Sequence, residues 1–274
     1  MLRQAFTMLE LIIVIVITGI IGLAGSKAVI EIMQNYAIQQ QYNKLESDSA
    51  SAIRQLSKYL QDAIWDSIAI KNGNTYTSIF SINQSNLGSI DANRNLVFIE
   101  KNQDVINGYF YQNKNIPIFS GFIDMANSKG ATLRTLSNTD KLTSLGGKPN
   151  NMAIYFPYIN TGNNVTSKFY TTKNNRTALF SITSITGAKV MSLSRSPAKI
   201  GDMAIITNDT PSIIAKDTNG NVYINNNKNI IIQDVNSINV WTEATTGVLR
   251  IRICFNNKIM NFMPQFCKEG VVIK

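Results

Sequence analysis

FTMLELIIVIVITGIIGLAG, residues 6–25, is a run of twenty residues with a single charge, Glu10. As a helix rising about 1.5 Å per residue it is about 30 Å long, the thickness of a bilayer's hydrocarbon core. Its apolar side chains go all the way round, so it belongs in lipid or in a protein core rather than on a wet surface. Three readings compete for it. A secretory signal would end at the small residues Ala24, Gly25 and Ser26, but a carboxylate does not suit its apolar core. A plain signal anchor would tolerate Glu10 near the membrane edge, against the positive end of its own helix. In the third, Glu10 is retained for a specific partner. An acid at the centre of a membrane helix costs about 2.5–3.5 kcal/mol, and acids kept there mark functional contacts.

The composition narrows what the rest of the chain can do. The 274 residues suit one sizeable domain and an accessory segment, and 44% hydrophobic residues suffice for an ordinary core. Only 16% are charged, against about 25% in a typical soluble protein; Asn, Ser and Thr take up the difference. There is no histidine. Ser-His and Cys-His nucleophile pairs and histidine-ligated metals are therefore excluded, together with the side chain best suited to proton transfer near neutrality. No convergent acid, base and nucleophile set appears, so the chain does not read as an enzyme, and nothing calls for a cofactor. A net charge of +9 could attract nucleic acid or anionic lipid. Lys168, Lys173 and Arg176 come nearest to a basic cluster.

The block Ala5-Phe6-Thr7-Met8-Leu9-Glu10-Leu11 resembles the cleavage and methylation motif of type IV pilins and type II secretion pseudopilins. The resemblance implies that a prepilin peptidase cuts between Ala5 and Phe6, that the new amine of Phe6 is methylated, and that Glu10 is the family's assembly glutamate. Gly19 falls where the family often has glycine. Ala5 stands where the family usually has Gly, and Lys27 where major pilins commonly have a helix-breaking Pro. Gly19, Gly22 and Gly25 would either loosen the helix, at about 1 kcal/mol each relative to Ala, or let neighbouring membrane helices approach closely.

Helical spacing continues past the apolar run. Val29, Ile32, Met33 and Tyr36 share a face, followed by Tyr42, Leu45, Ser49, Ala52, Ile53 and Leu56, and then Tyr59, Leu60, Ala63 and Ile64. From Lys71 the pattern turns to short runs rich in Ile, Val, Tyr, Phe and Thr, punctuated by Asn72-Gly73, Asn107-Gly108 and Asn219-Gly220. The runs predict strands at 96–100, 108–111, 152–156, 178–184, 189–194, 203–207, 212–216, 221–225, 229–233, 237–242 and 248–255. The polar stretch 120–151, with Gly-Gly-Lys-Pro at 146–149, reads as a long surface excursion. Asp217-Thr218-Asn219-Gly220 reads as a hairpin turn rather than a calcium loop, since Gly220 is misplaced for one and the next Glu is Glu243. The expected fold is α+β and pilin-like. A leader covers 1–5, a membrane half-helix 6–25, an amphipathic half-helix 26–70 packed on the head, and a β-rich periplasmic head 71–274.

The run IIIQDVNSINVWTEATTGVLRIRICF, 230–255, is similar to the closing hairpin of J-type pseudopilins and W-type minor pilins, which have large heads. Along 248–255, Leu249, Ile251, Ile253 and Phe255 alternate with Arg250, Arg252 and Cys254, which puts Cys254 on the polar side. A bridge to Cys267 would contribute about 3 kcal/mol in the chain-entropy model, and disulfide loops near the C-terminus are common in pilin-like heads. The alternative is two independent buried thiols. Phe255, Ile259, Met260, Phe262, Met263 and Phe266 either fold back on their own sheet or form an apolar contact surface.

The resemblance implies a minor pilin or pseudopilin at a priming or tip position in a filament serving type II secretion, DNA uptake or a type IV pilus. Its partners would be the peptidase, other major and minor pseudopilins and an inner-membrane assembly platform. A different reading makes the basic head a DNA-binding subunit of a transformation pseudopilus.

Overall fold

The computed structural model describes residues 8–111, 114–116, 118–137, 139, 142, 151–157, 159, 164–225, 230–243, 246–255 and 265–273. A helix, α1, runs from Met8–Gln61, followed by strands β1 (Ala69–Asn72), β2 (Thr75–Ser78), β3 (Gly88–Ile90) and β4 (Arg94–Phe98). One short helical turn, α2 (Gln103–Asn107), leads to β5 (Tyr109–Tyr111), β6 (Lys114–Ile116), β7 (Thr132–Arg134) and β8 (Met152–Tyr155). Next come β9 (Leu179–Thr186), β10 (Val190–Leu193), β11 (Ile205–Asn208), β12 (Ser212–Lys216) and β13 (Val222–Ile224). The chain closes with β14 (Ile230–Ile232), β15 (Val235–Thr242), β16 (Leu249–Phe255) and β17 (Phe266–Val272). The class is α+β. Besides the β5–β6 pair, the strands form three antiparallel sheets, ordered β14-β13-β12-β4-β1-β2, β11-β8-β9-β10-β7 and β17-β16-β15-β3.

Two compact units divide the chain, 1–48 and 49–274. In the first, Val29, Ile32, Met33 and Tyr36 are exposed. In the second, Ser49, Ala52, Ile53, Leu56 and Leu60 are buried, the three-and-four spacing of one helical face. Tyr59, read as part of that stripe, is exposed instead.

The helix stops at Gln61, short of the expected 70. The residues after it are claimed by a strand. Ile64 N–H donates to the Ile99 carbonyl at 2.7 Å, and Lys101 N–H to the Asp62 carbonyl at 2.9 Å. Ala63 and Ile64 keep their burial, but as extended residues. On its other edge the same segment meets β11: Asn208 N–H donates to Glu100 at 2.9 Å, and Asn102 N–H to Ile206 at 2.9 Å. Since β4 itself lies between β1 and β12, the stretch 94–102 joins two sheets and the end of the helix. Ser67 knits the junction from below: its hydroxyl donates to the Ile64 carbonyl at 2.6 Å and accepts from Ile99 N–H at 2.9 Å.

The eleven expected strand regions are all occupied by strands, with ends shifted by a few residues. β1, β2, β3, β6, β7 and β17 were not expected. Each is short or mixed in polarity and gains its place by pairing. The excursion 120–151 needs correcting. Ile123, Leu133 and Leu142 are core residues with Phe119, and β7 pairs with β10; Gly-Gly-Lys-Pro at 146–149 lies outside the described residues. The Asp217 turn is a hairpin as read. Gly220 takes φ +83°, and a Cβ there would come within 2.7 Å of the Val235 carbonyl.

In the closing sheet, β16 lies between β15 and the unexpected β17. Gly270 of β17 sits against the helix: a Cβ built there would overlap Cγ2 of Ile53. We expect Gly270→Ala to cost about 1–3 kcal/mol through this overlap. Combining it with Ile53→Ala should cost less than the sum of the two single changes. Urea unfolding of the four members of the cycle measures the coupling, and strict additivity would mean that the two residues do not touch.

Candidate functional site

The N-terminal part of α1 is long and apolar enough to span a membrane. Glu10 lies in its first turn, while the junction between Ala5 and Phe6 and the leader 1–5 lie outside the described residues. Two hydroxyls in and just after the apolar run bond back to their own helix. Thr18 Oγ1 donates to the Val14 carbonyl at 2.6 Å, and Ser26 Oγ to the Leu23 carbonyl at 2.9 Å. Such back-bonding lets a hydroxyl enter lipid without an exposed donor. The helix is unbroken through Gly19, Gly22 and Gly25. A Cβ built at any of the three meets nothing within 4 Å, so no contact among the described residues demands glycine there, and the surface they make admits a close neighbour.

At the other end of the chain, Cys254 and Cys267 are opposite each other in the β16–β17 register. Their sulfurs are 2.08 Å apart and their Cα atoms 4.0 Å apart, a disulfide across neighbouring strands. As the alternation predicts, Cys254 shares a face with Arg250 and Arg252. That face is not simply open, for Cys254 is 4% exposed while Cys267 is exposed. Beside the bridge, Arg252 pairs with Glu269 at 2.5 Å and Arg250 with Glu243 at 2.6 Å, and the Arg252 guanidinium lies over the Trp241 ring at 5.2 Å. Phe255 is buried and its ring centroid is 6.2 Å from that of Phe266, so these two do return to their own sheet. Ile259, Met260, Phe262 and Met263 lie outside the described residues.

The basic trio loses Arg176 to the interior, while Lys173 is exposed and Lys168 half-buried. Arg176 is buried at 3% exposure, and its guanidinium is tied to the Asp209 carboxylate, to the Asp209 carbonyl at 3.0 Å and to Ser181 Oγ at 2.7 Å. Ser181 Oγ donates in turn to Asp209 Oδ1 at 2.9 Å, and Lys173 also pairs with Asp209. The side chain of Asp209 has no exposed surface. A bare charge in such a place would be heavily penalised, so these residues hold one another. Nothing in the spacing of Arg176 separates it from a surface cation; only the fold brings Asp209 to it.

Two other carboxylates occupy structural positions. Asp66 accepts from the Tyr155 hydroxyl at 2.9 Å; burial, aided by the Asp66 charge, pushes that phenol well above its ordinary pKa. Glu100 sits on the strand that joins the sheets. Burial raises its pKa and the nearby Asp62 charge adds to the shift, while hydrogen bonds from Ser212 and Asn208 oppose it. In the Asp217 turn, both carboxylate oxygens accept from Asn221, through its backbone N–H and its side-chain amide, each at 2.8 Å. Those bonds, the side-chain one foremost, hold the carboxyl below its usual range. Comparison of the chain with protein-family models, with curated proteins and with solved structures finds no match in any of the three.

Asp209→Asn leaves the Arg176 cation buried without its counter-charge and should cost about 3–5 kcal/mol, read as a loss of unfolding free energy in urea. The raised pKa of Glu100 means that the folded head binds a proton more tightly than the unfolded chain. Its contribution is therefore fully present below the unfolded carboxyl pKa and is lost as pH rises through the folded one. Unfolding free energies measured from pH 4 to 7 should accordingly fall less steeply with rising pH in Glu100→Gln than in the parent chain; identical slopes would contradict this.

Proposed function

We propose that this chain is a minor pilin or pseudopilin, anchored in the inner membrane by residues 6–25 with its β-rich head on the periplasmic side, and then built into a short filament. What carries the reading is the placement of Glu10: the one charge in a membrane-length apolar run, five residues into the chain that a cut between Ala5 and Phe6 would leave. Such a cut creates a cationic amine inside or near the lipid. A carboxylate from a neighbouring subunit neutralises it, and in a low-dielectric surrounding each unpaired charge carries a large penalty. Subunits in register therefore pair, and those out of register leave charges bare.

Further observations support the reading. The helix is continuous from Met8 to Gln61, and the residues 49–61 belong to the β-rich unit, so one element serves both membrane and head. Gly19, Gly22 and Gly25 leave room for a close helix neighbour. A bulky head is hard to repeat along a thin helical filament, which favours a priming or tip position. The filament belongs to a type II secretion, DNA-uptake or type IV pilus-like apparatus. The peptidase, other pseudopilins and an inner-membrane assembly platform are the partners this role requires.

Mass spectrometry of the protein from cells tests the reading directly, the expected N-terminus being methylated Phe6. Retention of Met1, or a cut near Ser26, would overturn it. Glu10→Val should still be cut but fail to enter filaments; a variant that assembles normally removes the role given to Glu10.

A further inference from the structure

We infer that the Cys254–Cys267 bond is a redox latch for the seat of helix residues 49–61: closing the bond docks β17 in register, and docked β17 carries the surface on which Ile53 rests. The inference is independent of the filament reading and needs only the geometry of the head.

β17 is held by its seven-residue ladder with β16 and buries little of its own side-chain surface. Of its seven residues only Val272 is buried; Cys267, Glu269 and Val271 are exposed and the rest are half-buried. It ends the sheet order, with β16 as its one neighbouring strand among the described residues. The ion pairs that Glu269 makes with Arg252 at 2.5 Å and Arg250 at 4.0 Å are partly exposed and contribute little. The disulfide is the one covalent tie, and it joins residues that are directly opposed in the ladder.

Register matters here more than attachment. Gly270 is opposite Ile251 on β16 and directly beneath Ile53, where no side chain fits. A slip of one residue would bring Glu269 or Val271 under Ile53 and turn the inner face of the strand outward. The bond between Cys254 and Cys267, three residues from Gly270, forbids that slip.

Reduction reverses the latch by ordinary exchange. A dithiol's thiolate attacks Sγ of Cys267, the exposed member of the pair, and Cys254 leaves as a thiolate. The dithiol's second sulfur then displaces Cys267, so the reagent ends as a disulfide and the protein as two thiols. Closing is the same exchange in reverse. The Cys267 thiolate attacks the disulfide of an oxidising partner, and one partner sulfur leaves as a thiolate. Cys254 then displaces the other, so the partner ends as a dithiol and the protein as a disulfide, which happens outside the reducing cytoplasm.

Hydrogen exchange on the full chain in detergent micelles, oxidised or treated with dithiothreitol under native conditions, tests the latch. On reduction, amides of β17 should exchange roughly a hundredfold faster, the scale of the lost loop constraint. Those of 49–61 should accelerate with them, while β8 and β9 keep their protection. Unchanged protection of 49–61 after reduction would overturn the inference. So would equal loss in β8 and β9, which would make the bond a support of the whole head. With the bond intact, Gly270→Ala should release 49–61 alone; if that variant does not fold, the dithiothreitol comparison on the parent chain decides.

Discussion

The β-rich unit depends on one stretch of backbone, residues 94–102, whose hydrogen bonds are claimed on both edges. Its first half lies between β1 and β12; its second half lies between the residues that leave the helix and β11. A helix end has carbonyls without intrahelical partners, and a chain leaving it must satisfy its polar groups at once if it is to stay buried. Asp62 and Ile64 do so on Lys101 and Ile99. That pairing ends the helix, starts the first sheet and couples it to the second. The buried hydroxyl of Ser67 is bonded to both Ile64 and Ile99 and ties the corner together.

The closing sheet solves a different problem, that of bringing a helix against a strand of which only Val272 is fully buried. The approach is made by removing a side chain. Gly270 gives Ile53 room to touch backbone, and dispersion contacts at that range replace what burial of a large residue would contribute. The disulfide adds a covalent restraint on the register of this edge strand, at the outer face, away from the helix.

The low charge content of the chain has a counterpart inside it. Asp209 and Arg176 form a buried ion pair that the exposed Lys173 joins from outside, and Glu100 is held where burial disfavours its ionised form. The positive excess of the chain is not gathered by the trio that the sequence places closest together, since Arg176 is buried against Asp209. At the opposite end, Glu10 is the acid that a lipid environment makes most expensive and therefore most informative.

Residue order alone determined the membrane-length helix, the amphipathic turns that follow it, the α+β class and most of the long strands. Each of these is a local pattern: an apolar run, a 3.6-residue or two-residue period, a turn marked by Asn-Gly. The place of Cys254 on the face of Arg250 and Arg252 was legible for the same reason. Tertiary structure decided the end of the helix at Gln61, the strand character of Phe266–Val272, the need for glycine at 270 and the burial of Arg176. Each depends on a partner far along the chain: Ile99 for the residue pair that stops the helix, Ile251 and Ile53 for Gly270, Asp209 for Arg176. Local periodicity carries no record of which distant backbone or counter-charge will arrive, because that is set by packing of the whole head.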